Sequence, residues 1–234
     1  MRLNKFIAAS GITSRRKADQ LIAAGEISLN GKVITELGTE VFENDIVTYK
    51  GQIINEEKSK IYLMLNKPPK YLSSVSDDRD RKTVIDLVKN TYSERLYPVG
   101  RLDYETEGLL ILTNDGDITN KLTHPKHHIK KTYLVKTDKP INKEIVSNLE
   151  NGVLIDDYMT KKAELKLDIK NNNQCEITIG EGRNRQVRKM FASQGLEVVY
   201  LKRLSMGDLK LGSLEIGKTR ELTQKEISYL KSIN

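Results

Sequence analysis

Apolar positions at the start of the chain recur every three or four residues, which predicts two short helices that each end at a glycine. We expect Thr13 or Ser14 to cap the second helix, because both side chains accept hydrogen bonds from free backbone N–H groups. The pattern then alternates, and Asn30-Gly31 predicts a tight hairpin between two strands. The positions behind these predictions are Leu3, Phe6 and Ile7 in the first helix, Ala18, Leu21 and Ile22 in the second, and residues 27–29, 32–34 and 46–49 in the strands.

From residue 61 onward, short alternating strands are interspersed with a few helical segments. Several connections are too short for a crossover helix, so we predict a mainly antiparallel mixed sheet. The fold class is therefore α+β, with a small helical and strand domain at 1–49, a polar linker at 50–60 and a larger domain at 61–234. The predicted strands of the larger domain are residues 61–65, 109–113, 131–136, 163–169 and 175–179, and the predicted helices are residues 142–150, residues 184–194 and a last helix capped by Thr223 and Glu226.

Positive charge is concentrated in separate parts of the chain. The 234 residues include 39 Lys and Arg against 32 Asp and Glu, a formal net charge of +7. The excess falls in residues 1–17, 121–143 and 183–203, each of which contains at most one acidic residue. A single basic cluster is usually a solvated surface, but three on one chain favour a polyanionic partner such as a nucleic acid.

Hydropathy and cysteine content exclude several classes of protein. No apolar run approaches the roughly 20 residues of a membrane span, and the N-terminus does not resemble a signal peptide. We therefore expect a cytoplasmic protein that does not contact a membrane. A single cysteine, Cys175, excludes an internal disulfide and a cysteine-rich zinc site.

Two other segments invite a metal-binding interpretation. His124, His127 and His128 lie close together, but Pro125 and the surrounding lysines favour a basic loop. The acidic run at residues 77–80 is interrupted by an arginine, and we interpret it as a solvated loop. The sequence accordingly predicts no metal site.

The segment from residue 98 to residue 116 is the most informative stretch for chemistry. A polar loop bounded by glycines places Arg101 and Asp103 just before a buried apolar strand. An ordinary aspartate is ionised at neutral pH and can act as a nucleophile without an activating base. From the residues alone, however, Asp103 is better explained as a turn residue or as the ion-pair partner of Arg101.

Several blocks of sequence resemble known families. Residues 2–7, 11–18 and 25–32 together are similar to the S4 RNA-binding domain, whose basic cluster lies at a helix N-terminus. Gly-Arg-Leu-Asp-x-x-Thr-x-Gly-Leu-Leu at residues 100–110 resembles the central motif of the pseudouridine synthases, in their RsuA/RluB branch. Residues 63–71, the Lys-x-Tyr at 131–133 and the block at 179–191 resemble three further motifs of that family, in the expected order.

The resemblance implies roles for individual side chains. Asp103 matches the family's catalytic aspartate, and Arg101 matches the residue that displaces the flipped nucleotide. Tyr133 matches the tyrosine that stacks on the target base, and Arg188 matches the arginine that pairs with the catalytic aspartate and keeps it charged. The residues expected to bind RNA, besides Arg101, are Arg15, Arg16, Lys17, Lys67, Arg183 and Arg185.

The implied reaction converts uridine to pseudouridine, with no cofactor. No electrons or groups are exchanged with another molecule, and the nucleotide-binding glycine motifs are absent from the sequence. The implied partner is ribosomal RNA or a pre-ribosomal particle, acted on by a monomer. Residues 75–84 and 202–207 look closest to RluB-type enzymes of the large subunit, with RsuA-type activity on small-subunit RNA as the alternative.

Two alternatives lie outside this chemistry. A non-catalytic S4 RNA-binding protein would be expected to have a degraded central motif, whereas Asp103 is intact. A hydrolase that pairs Asp103 with Glu105 or Glu107 would use two carboxylates on one side of an extended loop. That hydrolase would not explain the basic clusters.

Overall fold

The computed structural model describes residues 1–233, and its first unit is a small domain of two helices and a sheet. The helices pack on each other over a core that includes Leu3, Ile7 and Ile22, which are almost fully buried. Ser14 caps the second helix by accepting a hydrogen bond from the Lys17 backbone N–H, and the Asn30-Gly31 hairpin forms as predicted. The elements are α1 (Leu3–Ala9), α2 (Arg15–Ala23), β1 (Ile27–Leu29), β2 (Lys32–Ile34), β3 (Val47–Tyr49) and β4 (Gln52–Ile54), with the sheet order β2-β1-β3-β4.

The predicted linker at residues 50–60 is wrong in its first half. Residues 52–54 form β4, which pairs with β3 and extends the sheet beyond the boundary predicted at residue 49. Lys50 and Gly51 make the connecting turn with positive φ values of 51° and 76°. Lysine seldom adopts this left-handed conformation, so the sequence carried only a weak hairpin signal there.

The second unit is built on one large mixed sheet. Among the strands of residues 1–233, only β7 and β13 pair in parallel, so the mainly antiparallel α+β prediction is confirmed. The sheet order is β11-β12-β8-β13-β7-β5-β15, with β6 attached to β7 and β14 attached to β13. The strands are β5 (Tyr62–Lys67), β6 (Tyr97–Val99), β7 (Glu107–Thr113), β8 (Lys131–Thr137), β9 (Leu154–Ile155), β10 (Tyr158–Met159), β11 (Glu164–Leu167), β12 (Gln174–Ile179), β13 (Val198–Met206), β14 (Leu209–Lys210) and β15 (Thr219–Glu221).

Helices cover both faces of this sheet, so its central strands are buried on both sides. In β7, Leu110 and Leu112 pack into one core while Leu109 and Ile111 pack into the other. Burial on both faces explains why the sequence of β7 is a continuous apolar run rather than an alternating one. The helices are α3 (Gly116–Thr123), α4 (Lys143–Asn151), α5 (Gln186–Ala192) and α6 (Gln224–Ser232), with short 3-10 turns at Val84–Leu87 and Pro125–His127.

Several elements of this unit were not predicted, among them α3, β13 and the short strands β6, β9, β10, β14 and β15, and one predicted helix begins later than expected. Asp115 caps α3, where the sequence indicated only a turn. The long central strand β13 was missed because its charged residues, Lys202 and Arg203, hide the alternation. Helix α5 begins at Gln186 rather than at residue 184, because Arg185 adopts a left-handed conformation with φ of 50°.

The segment after β4 attaches the two units to each other. The backbone N–H of Glu57 donates to the carbonyl oxygen of Ala9 at 2.9 Å, at the end of α1. The carboxylate of Glu57 accepts a hydrogen bond of 2.6 Å from the side-chain amide of Asn114, beside α3. Lys5 and Asp117 add an ion pair of 2.7 Å between the same elements. In residues 1–233, no helix is long and apolar enough to cross a membrane.

Candidate active site

An open cleft of about 950 Å³ lies over the middle of the large sheet. Its walls are the loop between β6 and β7, the first residues of β8, the middle of β13 and the loop between β12 and α5. Four predicted site residues border this cleft together with the catalytic candidate Asp103. They are Arg101, Tyr133, Arg183 and Arg185.

Asp103 lies in the loop that leads into β7, and neighbouring backbone and side-chain groups hold this loop. Ser73 exchanges hydrogen bonds with Leu102, accepting from its N–H at 3.1 Å and donating to its carbonyl at 2.9 Å. The backbone N–H of Lys70 donates to the carbonyl of Tyr104 at 2.7 Å. Asp103 itself is half-buried, and among residues 1–233 its carboxylate forms no ion pair, including with Arg101. The loop thus presents a free carboxylate to the cleft.

Lys67 holds the same loop from below and is not among the residues that border the cleft. Its side chain is fully buried, and its ammonium lies 2.9–3.3 Å from the carbonyl oxygens of Pro68, Asp103, Tyr104 and Thr106. Burial lowers the pKa of Lys67 to about 8, while the nearby carboxylates, Asp103 first, act to raise it. The prediction that Lys67 binds RNA is therefore wrong, because a buried ammonium surrounded by carbonyls cannot reach a ligand.

Tyr133 forms part of the floor of the cleft. The residue is only 8% exposed, and its strand, β8, lies between β12 and β13. Two residues earlier on the same face, the Lys131 ammonium donates to the Ile129 carbonyl at 2.9 Å. Burial, together with the nearby charge of Arg203, lowers the pKa of Lys131 to about 8. The arrangement places an aromatic ring beside buried positive charge.

Arg188 does not form the ion pair with Asp103 that the resemblance implied. Its Nη1 donates instead to the carbonyl of Val198 at 2.6 Å. The β8–β13 pairing is irregular between Val198 and Tyr200, and this carbonyl accepts the arginine. Burial lowers the pKa of Arg188, and the charge of Asp103 acts in the opposite direction, so the two groups interact through space without contact.

Arg183 and Arg185 lie on the exposed rim of the cleft. The guanidinium of Arg183 stacks on Tyr158 of β10, with 3.4 Å between its central carbon and the ring centroid. The hydroxyl of Tyr158 donates to Glu181 at 2.8 Å, which fixes the ring beneath the arginine. Both arginines are accessible to a ligand, as a role in RNA binding requires.

Arg15, Arg16 and Lys17 are exposed in the first turn of α2 and belong to the other domain. They do not border the cleft, so any contact with RNA would be made at a separate place on the same molecule. Backbone N–H groups at a helix N-terminus also favour a phosphate there.

The histidine segment forms the wall of the cleft near α3. His124 accepts a hydrogen bond at Nδ1 from the Lys126 backbone N–H, and the rings of His124 and His127 are 6.1 Å apart. Within residues 1–233, no group of three or more His, Cys, Asp or Glu side chains is placed to hold a metal ion.

Among the cleft residues that the sequence analysis did not assign to the site, Arg203 is a buried cation. Arg203 is 3% exposed, borders the cleft from β13 and donates from Nε to the carbonyl of Leu109 at 2.7 Å. The sequence analysis counted Arg203 in a basic cluster and in the RluB-type resemblance of residues 202–207, but gave it no role in the site. The apolar residues at 198, 201 and 206 around it were the available signal that it lies in a buried strand.

Comparison with known proteins identifies the family. A family model described as RNA pseudouridylate synthase matches residues 61–193, and an S4 domain model matches residues 1–47. The chain belongs to the RNA pseudouridylate synthase family. The resemblance to that family and to the S4 domain is confirmed, and the protein is an enzyme of the pseudouridine synthase class.

Two curated pseudouridine synthases and one solved structure illustrate the similarity. Ribosomal large subunit pseudouridine synthase B of Bacillus subtilis strain 168 is 44% identical over 99% of this chain and 96% of its own length. Dual-specificity RNA pseudouridine synthase RluF of Escherichia coli K12 is 38% identical over 97% of this chain and 77% of its own. A crystal structure of a pseudouridylate synthase superposes with a TM-score of 0.72 at 34% identity, covering 98% of this chain and 99% of that one.

Proposed function

We propose that this pseudouridine synthase isomerises a uridine of large-subunit ribosomal RNA, with Asp103 as the catalytic residue. The observation that carries the proposal is the free Asp103 carboxylate, held by its loop at the same cleft as the Tyr133 ring. The relative at 44% identity is named for the large ribosomal subunit, which supports the choice of substrate. The implied enzyme is a cytoplasmic monomer that needs no cofactor.

The geometry supports a sequence of steps on an extruded nucleotide. A uridine inside folded RNA must leave its stack, which costs a few kcal/mol, and Arg101 is exposed beside Asp103 to take its place. Stacking on Tyr133 would then hold the uracil, an interaction worth about 1–3 kcal/mol. The bond between N1 and C1′ breaks with the help of Asp103, the uracil turns, and C5 joins C1′.

RNA binding is assigned to two regions of positive charge. The rim arginines, Arg183 and Arg185, would contact the strand that enters the cleft. Arg15, Arg16 and Lys17 in the S4 domain would contact phosphates of a neighbouring part of the RNA. Binding at both regions would favour a folded RNA large enough to reach them together.

The test combines genetics with a chemical readout. Pseudouridines are mapped in both ribosomal RNAs of a strain that lacks the gene, and the strain is complemented with the wild type, Asp103→Asn or Asp208→Asn. Asp208 lies in an exposed turn after β13 and is the matched control. We expect one large-subunit pseudouridine to disappear, and to return with the wild type and Asp208→Asn but not with Asp103→Asn.

Other outcomes would contradict separate parts of the proposal. Loss of a small-subunit pseudouridine would refute the choice of substrate, and an unchanged map would refute ribosomal RNA altogether. Restoration by Asp103→Asn would refute the catalytic assignment, because this nearly isosteric change removes the anionic oxygen.

A further inference from the structure

Arg203 is a buried cation whose hydrogen-bonding capacity is only partly used. Its Nε binds the Leu109 carbonyl, but its Nη2 is buried and has no hydrogen-bond partner among residues 1–233. No carboxylate of residues 1–233 lies within ion-pair distance of the Arg203 guanidinium. A buried donor left without a partner costs about 1–3 kcal/mol, and more when it is charged.

Strand register places this guanidinium at the reacting end of the cleft. Arg203 is directly opposite Tyr133 in the antiparallel β8–β13 pairing, so both side chains lie on the same face. On its other side Arg203 pairs with Gly108, where an added Cβ would lie 2.2 Å from the Arg203 carbonyl oxygen. Glycine at 108 therefore lets β13 approach the end of the Asp103 loop closely.

The neighbouring charges do not neutralise Arg203. Lys131 borders the same cleft, and its ammonium donates a hydrogen bond to the Ile129 carbonyl. Burial and, after it, the charge of Arg203 lower the pKa of Lys131, as expected for two cations that lie close together. An unpaired buried cation is unfavourable unless a negative group arrives to meet it. The structure therefore favours a partner that enters with the substrate.

We propose that Arg203 is a further catalytic residue, which donates a hydrogen bond to a carbonyl oxygen of the target uracil and stabilises negative charge on the base. This inference rests on the proposed function, because it requires a uracil stacked on Tyr133. Preorganised donors aimed at developing charge act strongly in a buried site, since they need no reorganisation during the reaction.

The electron count shows when a donor to the base would act. When the N1–C1′ bond breaks, its electron pair stays with the uracil and is delocalised over O2 and O4. The ribose is left short of a pair, which Asp103 meets either by bonding to C1′ or by removing a proton from the sugar. When C5 bonds to C1′, the uracil's pair forms the new bond, and Asp103 either leaves C1′ with its own pair or returns the proton to the sugar. C5 then loses its proton and N1 gains one, which completes pseudouridine. The base is negative between N1–C1′ cleavage and C5–C1′ bonding, and again between loss of the C5 proton and protonation of N1.

The test measures coupling between Arg203 and the uracil oxygens. Single-turnover rates are measured with excess enzyme on an RNA fragment that carries uridine, 2-thiouridine or 4-thiouridine at the target position. Sulfur accepts hydrogen bonds weakly, so the oxygen that Arg203 contacts is the one whose replacement should slow the wild type. We expect Arg203→Met to lower the rate about 10²–10³-fold. Replacing the same oxygen should then slow this variant at least tenfold less than the wild type.

Two variants separate this role from a structural one. Arg220→Met is the matched control, because Arg220 pairs with Glu226 at 2.7 Å on the edge strand β15, outside the cleft. It should keep the wild-type thio effect even if its melting temperature falls. If Arg203→Met does not fold, Arg203→Lys keeps a cation that can reach either the Leu109 carbonyl or the base. We then expect a folded protein with a weakened thio effect.

Several results would overturn the inference. A rate loss below threefold in the folded Arg203 variant would do so, as would thio effects equal to those of the wild type. A third contrary result is an unchanged rate with a salt slope of RNA binding shallower by roughly 0.7–0.9, which would assign Arg203 to a backbone phosphate. Failure of the proposed function is distinguishable, because the wild type would then form no pseudouridine at any concentration.

Discussion

Replacing Lys67 by methionine tests whether this buried lysine positions the Asp103 loop. The side chains have similar length, but methionine cannot donate to the four carbonyls that surround the ammonium. An ammonium has three N–H donors, and a hydrogen bond to a charged group contributes a net of about 1.5–3 kcal/mol, or roughly 5–9 kcal/mol in all. The carbonyls can relax or bind water near the cleft, so we expect a loss of about 3–5 kcal/mol, as for other removed partners of buried charges.

The assay compares stability, catalysis and RNA binding in one variant. A loss of this size should lower the melting temperature by roughly 6–20 °C in a protein of this length. If Asp103 is the catalytic residue we propose, a displacement of about 1 Å at its loop should lower single-turnover rates roughly 100-fold at temperatures where the variant is folded. RNA affinity should change little, because Lys67 is fully buried. Lys89→Met, which removes an exposed lysine paired with Asp86, is the control.

The opposite pattern would refute this reasoning. If Lys67→Met kept its single-turnover rate and melting temperature but bound RNA with a weaker affinity and a shallower salt slope, Lys67 would be an RNA ligand. The pH dependence gives a second check. The folded pKa of about 8 lies below the ordinary value of 10.5, so the unfolded state binds more protons between these values. The contribution of Lys67 to the free energy of unfolding therefore rises with pH in this window, whereas loop positioning and the reaction rate should decline.

Three other changes follow from the same structure. Changing Arg15, Arg16 and Lys17 to alanine should weaken RNA binding, as measured by titration at several salt concentrations. The slope of log affinity against log salt concentration should fall by roughly 0.7–0.9 for each phosphate that is no longer bound, and an unchanged slope would exclude phosphate binding by these residues. Tyr133→Phe keeps the stacking face, so the single-turnover rate and the affinity for RNA should both be unchanged. A large loss of rate at constant affinity would instead show that the hydroxyl transfers a proton or positions the substrate. Hydrogen bonding to Arg220 lowers the pKa of Glu226 to about 2, so Glu226→Gln should reduce the melting temperature at pH 7. The difference in melting temperature between this variant and the wild type should disappear as the pH falls from about 4.5 toward 2, because Glu226 of the wild type is then protonated. An equal reduction throughout that range would contradict the ion pair.

The elements that the sequence predicted correctly are those with a local physical signal. The Asn30-Gly31 turn fixes its hairpin through two residues that favour positive φ, and Thr223 with Glu226 forms the capping box of α6. Helix α3 was missed because Asn114-Asp115-Gly116 is an equally good turn. Strand β13 was missed because its interior contains charged residues, whose burial depends on partners distant in sequence.

The site residues were likewise predicted only where a local sequence motif identifies them. The motif resemblance located Asp103 and Tyr133, and the structure brings both to one cleft. The resemblance could not predict which contact each basic side chain makes, because those contacts depend on strand pairing and burial. Arg188 was expected to touch Asp103 and instead binds the Val198 carbonyl.

Burial, rather than charge, separates the roles of the basic residues. Lys67 and Arg203 both lie in segments that look like RNA-binding sequence, yet they are 0% and 3% exposed. A cation buried in this way is not placed to neutralise an RNA phosphate and release the counterions condensed on the RNA, which is the main source of electrostatic RNA affinity. Its charge acts instead on groups held nearby, which are the carbonyls of the Asp103 loop for Lys67 and, in our proposal, the base stacked on Tyr133 for Arg203. Lys67 and Arg203 both pair with Gly108, at the end of that loop, so the buried lysine that holds the loop and the buried arginine that borders the cleft lie on either side of one glycine.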